Sequence, residues 1–212
     1  MWFWGSPVRT RLLTLYKRWS MGIVYWTPFC TTMGIINLLV FALQYSKLLP
    51  WHGWAFPSEN ASITQYFSSL ILHGSWQHLT NNAFCLFAFG CLLEKKVGFF
   101  KIALIYFASG VGGNFLFALM QSGESAIGAS GCIFGLICSL VFTDPKALVL
   151  SPSSPLPIPI ILFAPLYVAN EILQLADSST AIAHAAHIGG GIAGALVGKL
   201  IGLGGKSSPA QH

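Results

Sequence analysis

The sequence predicts an all-α membrane protein, a bundle of six transmembrane helices with both ends in the cytoplasm. Three observations predict it. Of the 212 residues, 54% are hydrophobic and only 8% are charged, against about 25% charged in a typical soluble domain. Six apolar stretches approach the length needed to cross a hydrocarbon layer about 30 Å thick at about 1.5 Å per helical residue. The basic residues gather in alternate connections, which orients the bundle. Barrel strands would alternate polar and apolar residues, and these stretches do not, so helices are the spanning elements. The net charge of +5 follows from this basic collar and gives no ground for nucleic-acid binding.

Residues 1–28 form a cytoplasmic or interfacial segment, with Arg9, Arg11, Lys17 and Arg18 beside Trp2, Trp4, Trp19 and Trp26. No small-residue cleavage site follows a short apolar core there, so no cleavable signal peptide is expected. The core runs over 29–203 and a short tail over 204–212. Spans are expected near 29–46, 76–93, 101–120, 129–143, 156–175 and 181–203. The fourth is short, and prolines at 155, 157, 159 and 165 loosen the first half of the fifth. The loop at 47–75 is rich in Trp, Pro and Ser and too apolar for a solvated linker, so it is expected on the membrane surface. Lys95, Lys96, Lys101, Lys146, Lys199 and Lys206 fall on the side of the N-terminal collar, and only Lys47 falls on the other. The bias places both termini inside.

The polar residues then share a depth. From Ser130 to the turn at Asp144 a helix covers only about 21 Å, which leaves Ser130 roughly 10 Å below the outer surface. His187 lies about 9 Å into the sixth span. His78 and Asn82 stand at the outer start of the second. Intramembrane polar groups are costly unless they meet, so they are candidates for function. Gly190, Gly194, Gly198 and Gly202 form a stripe on span six, matched by Gly131 and Gly135 on span four, and such stripes let helices approach closely. Packed along them, Ser130 faces His187, with Phe134 one turn below to support the imidazole. Such a pair can act as nucleophile and general base. The Ser130 N–H, His78 and Asn82 can supply oxyanion donors. Asp177 lies too far along to complete a triad.

Plainer readings stand beside this one. Gly128-Ala129-Ser130-Gly131 also suits simple helix packing. His73 and His184 fit structural or interfacial places, and Asn81 and Asn114 fit caps or interhelical bonds. Glu94 fits a cytoplasmic helix end that bonds nearby backbone. The five cysteines fall in apolar segments without a Cys-x-x-Cys pair, and no His-Glu-x-x-His occurs, so neither a metal site nor a cofactor is expected. The hydrolase elbow Gly-x-Ser-x-Gly fails, since Cys132 takes its last place.

Three motifs together resemble the rhomboid intramembrane serine proteases. Gly128-Ala129-Ser130-Gly131 is similar to the family's Gly-x-Ser-Gly, whose serine is the nucleophile. Ala186-His187-Ile188-Gly189-Gly190 is similar to its Ala-His-x-x-Gly, whose histidine is the base. His78-Leu79-Thr80-Asn81-Asn82 is similar to its His-x-x-x-Asn, which assists the oxyanion. Glu94-Lys95-Lys96 resembles a turn of bacterial members. The resemblance implies a minimal six-span bacterial form in the inner membrane. It implies cleavage of transmembrane protein substrates near their outer ends, among membrane lipids, without metal or cofactor. The fifth span would be the lateral entrance. Two departures occur: Thr64-Gln65 replaces a common Trp-Arg before Tyr66-Phe67, so the first loop is held differently, and Phe134 replaces a frequent Tyr. A catalytically silent member that escorts membrane clients is the alternative. A transporter would need polar groups through the whole depth, and the inner halves of spans four and six are apolar.

Overall fold

A computed structural model describes residues 27–151, 154–175 and 184–204. The N-terminal collar, Asp177, the expected start of span six at Ala181 and Lys206 lie outside the described residues.

The first long helix, α1 (Pro28–Tyr45), starts on a proline, whose missing N–H costs nothing at a first helical position. The next two free amides donate to one carboxylate: Phe29 N to Glu94 Oε1 at 2.8 Å and Cys30 N to Glu94 Oε2 at 3.0 Å. Glu94 does bond backbone as expected, but backbone of a different helix. An anion there also complements the helix dipole.

The loop that follows α1, at 47–75, has a fold of its own. It holds a short strand β1 (Phe56–Pro57), a helix α2 (Ile63–Ser68) and a tight turn at Ser69–Ile71. At the position of the departure, Gln65 Oε1 accepts from the Ser62 amide (2.8 Å) and hydroxyl (2.9 Å). Gln65 Nε2 donates to the Gly53 carbonyl at 3.2 Å. The glutamine thus caps α2 and ties it to the preceding turn.

Helix α3 (Trp76–Cys85) begins under a Ser75 cap, where Ser75 Oγ accepts from the His78 amide at 3.1 Å. It continues through a π-helical turn (Leu86–Gly90) into α4 (Cys91–Val97). Gly98, at φ +83°, closes that stretch and opens α5 (Phe99–Met120), a reversal that a side chain would strain. A two-residue strand β2 (Ser125–Ala126) pairs antiparallel with β1, so the loop after α5 is pinned to the loop after α1.

Helix α6 (Ser130–Thr143) is the centre of the molecule. All ten residues from Gly131 to Leu140 are buried, as an apolar helix enclosed on every side requires. It packs most extensively on α8 (His184–Gly204). The glycine stripe makes this contact: a methyl on Gly190 would run into the Gly131 carbonyl, and one on Gly194 into the Gly135 backbone. Helix α5 joins them, because Gly113 faces the Ala186 carbonyl, where a methyl would sit 2.5 Å away.

The expected fifth span begins later than the sequence suggests. Leu148–Ser151 and Ser154–Pro159 form an antiparallel pair, β3 and β4, with Leu148 opposite Pro159, and only Ile160–Gln174 is helical (α7). Prolines at 155, 157 and 159 hold the preceding residues extended and lack the amides a helix would use. The fold is therefore a mostly helical bundle carrying two small antiparallel ladders. Among the described residues three helices, α1, α5 and α8, are long and apolar enough to cross a membrane, and α6 and α7 are shorter apolar helices.

Candidate active site

Ser130 is the first residue of α6, so its amide is among the unpaired N–H groups of a helix start. Gly128, two residues earlier, has φ +122°, a conformation that suits glycine. Its amide donates to the Ser69 carbonyl at 2.9 Å. Space at Gly128 is closed from the other side: a methyl there would lie 2.6 Å from His78 Nε2 and 3.5 Å from Asn82 Nδ2. The two side chains one turn apart on α3 thus converge on the backbone that leads into Ser130. Asn82 is buried, and its Nδ2 has no hydrogen-bond partner among the described residues. A buried amide donor without an acceptor is costly and suits a site where an acceptor develops during reaction. A cavity of about 20 Å³ reaches Ser130, with Gly110, Gly113, Gly128, Gly131 and Ala186 in its wall.

His187 lies in the first turn of α8, 8% exposed. The residues next to the pair touch: a methyl on Gly131 would be 3.1 Å from the Ala186 carbonyl. No hydrogen bond joins Ser130 to His187 among the described residues, and such bonds commonly tighten only with substrate. The His187 ring lies flat on Phe134, with centroids 4.5 Å apart and planes 7° off parallel. Tyr167 covers the other face of Phe134 at 4.6 Å and 9°. The stack continues through Phe163 (5.2 Å) to Phe89 (5.3 Å). The expected support by Phe134 is present, and α7 extends it.

One residue escaped the sequence reading. Glu171 of α7 is buried at 5% exposure. Its Oε2 lies 2.7 Å from His187 Nδ1 and 2.6 Å from His184 Nδ1. A carboxylate in an apolar span is a candidate on that ground alone, but no local pattern ties Glu171 to His187. The three ligand-type atoms fall within 4.8 Å of one another. Donors around a tetrahedral zinc at about 2.0–2.1 Å would stand roughly 3.3 Å apart, so the two short separations fit hydrogen bonds better than shared metal ligation.

The other polar residues have structural places. Asn114 Nδ2 donates to the Tyr66 carbonyl (3.1 Å) and to Ser69 Oγ (3.0 Å), joining α5 to the loop after α1. Asn81 Oδ1 accepts from Gln77 Nε2 at 2.9 Å. His73 exchanges backbone bonds with the Gln44 side chain, both at 3.1 Å.

Fold and site together define a helical membrane protein with a buried polar centre where four helices meet. The profile of the rhomboid domain matches residues 60–203, and the chain belongs to the rhomboid family. It is 30% identical to the rhomboid protease AarA of Providencia stuartii over 183 residues, covering 76% of this chain and 60% of AarA. It is 27% identical to the putative rhomboid protease YdcA of Bacillus subtilis over 119 residues, 54% of this chain and 60% of YdcA. RHOMBOID-like protein 2 of Arabidopsis thaliana is 35% identical over 96 residues, 45% of this chain and 27% of that protein. The chain thus spans three fifths or less of the length of these relatives.

Proposed function

We propose that the chain is an intramembrane serine endopeptidase that hydrolyses transmembrane protein substrates near the outer membrane face. Ser130 is the nucleophile and His187 the general base, which later protonates the leaving amine. His78, Asn82 and the Ser130 amide receive the oxyanion. The observation that carries this reading is the convergence at Gly128, where two donor side chains close on the backbone entering Ser130. The flat seat of His187 on Phe134 supports it. The protease domain is taken as 29–203, between a cytoplasmic segment at 1–28 and a tail at 204–212. It crosses a bacterial inner membrane six times with both ends inside, surrounded by lipid, and uses neither metal nor cofactor.

The test is cleavage of a tagged transmembrane substrate by wild type and Ser130→Ala, in detergent and in lipid, beside labelling by a fluorophosphonate. Wild type should cut and label, and Ser130→Ala should do neither. An escort protein without activity would do neither in both forms.

A further inference from the structure

The base in this site is held by an acid that belongs to another helix. We propose that Glu171 is a positioning residue for catalysis, fixing His187 with its proton on Nδ1 and its lone pair on Nε2, so that the dyad works as a triad. The proposal rests on the reading of Ser130 and His187 given above.

Two hydrogen bonds end on one oxygen. An ionised carboxylate only accepts, so both imidazoles donate through Nδ1–H, at 2.7 Å from His187 and 2.6 Å from His184. That choice leaves Nε2 of His187 as the basic atom. His184 stands three residues before His187 on α8 and bonds the same oxygen, which keeps the carboxylate from following one ring alone. Burial strengthens both bonds, since all three residues are 8% exposed or less. The aromatic stack sets the plane of the His187 ring, and Glu171 sets its rotation within that plane. When the imidazole takes the Ser130 proton, the carboxylate faces the new positive charge directly.

The other titratable groups around His187 do not offer this service. Helix α3 brings His78, α7 brings Glu171 and Tyr167, and α8 brings His184. Helix α6 has no charged residue, and its Cys132 and Cys138 thiols face Gly110 and Gly191. Helix α5 has Lys101, in its first turn, and Tyr106, buried against Cys132 and Asn37. Among the described residues, Glu171 is therefore the one anionic group that these elements bring to the ring.

The experiment compares wild type, Glu171→Gln, Glu171→Asp and Ser130→Ala in detergent, by substrate cleavage across pH and by fluorophosphonate labelling. Labelling isolates activation of Ser130 from entry of a transmembrane substrate past α7. Glu171→Gln should lower kcat and the labelling rate by roughly 10- to 10⁴-fold, the upper end being the loss seen when an amide imposes the wrong tautomer. KM should hold, and Glu171→Asp should recover part of the rate. Because the amide removes the counter-charge of the imidazolium, the acidic limb of kcat/KM should move to lower pH. A purely structural role would lower the plateau through lost folded protein and leave the limb in place, and that result overturns the proposal. So does loss of wild-type activity to a chelator, which would make the cluster a metal site. Nitrogen-15 spectra of the wild-type histidines need no variant: neutral His187 protonated at Nε2 also overturns it. Cleavage by Ser130→Ala would instead defeat the dyad itself, whereas a silent Ser130→Ala beside an unaffected Glu171→Gln defeats only the role of Glu171.

Discussion

Ser130 and His187 act as one unit in the proposed mechanism, so their losses should not add. Ser130→Ala and His187→Ala should each abolish cleavage, and the double variant should be no slower than either single one. Initial-rate assays on folded protein check this, and an additive loss would separate the two residues. Removing an oxyanion donor costs about 10²–10³ in rate elsewhere. Asn82→Ala and His78→Ala should each fall towards that range, with melting temperature close to wild type, because among the described residues Asn82 Nδ2 has no partner to lose. Wild-type turnover in the double variant would make both residues packing groups. At this scale the sequence offered Ser130, His187, His78, Asn82 and Phe134 as candidates, because each sat in a short local pattern. Glu171 forms its bonds 13 and 16 residues along the chain, across a helix boundary, where no local pattern reaches.

Helix contacts were legible from glycine spacing, and the glycines predict which substitutions the bundle cannot absorb. A methyl on Gly190 meets Gly131 backbone, which has no flexible end to yield. Gly190→Ala should therefore push α6 and α8 apart and destabilise by about 1–3 kcal/mol, the usual cost of overpacking. Thermal unfolding in detergent measures it, and an unchanged melting temperature would show that the helices slide freely. The start of α7 was legible only as a span loosened in its first half by prolines. Hydropathy treats a proline-rich apolar run like any other, but alternate missing amides leave it only an extended pairing with β3. The cap of Glu94 on α1 was hidden for a similar reason, since its partners lie 64 and 65 residues away.

Across the whole molecule, the basic residues predict orientation. Reporter fusions after Leu49 and after Ser122 should read outside, and one after Lys206 inside. A C-terminal reporter found outside would remove the shared depth on which the site argument began. Stability against pH has a contribution from His73, in the loop before α3. Burial first, and nearby His78 second, lower its imidazole to about 4 from the ordinary 6.5. Between those values the unfolded chain binds a proton that the folded one refuses, so stability falls as pH drops from about 6.5 to about 4. Melting temperatures should follow that trend, and His73→Phe should flatten it while the backbone bonds to Gln44 remain. A slope identical in the variant would assign the effect elsewhere.

The row of rings from Phe89 to His187 has a mechanical consequence. For α7 to swing away from the bundle, Phe163 must leave Phe89 and Tyr167 must leave Phe134. Aromatic pairs contribute about 0.5–1.5 kcal/mol each beyond their buried area. Two of them favour the packed position of α7 by about 1–3 kcal/mol, a factor of roughly 5–150. The rings act as a return spring, so any outward swing of α7 is a brief thermal excursion that reverses unless something holds the helix out.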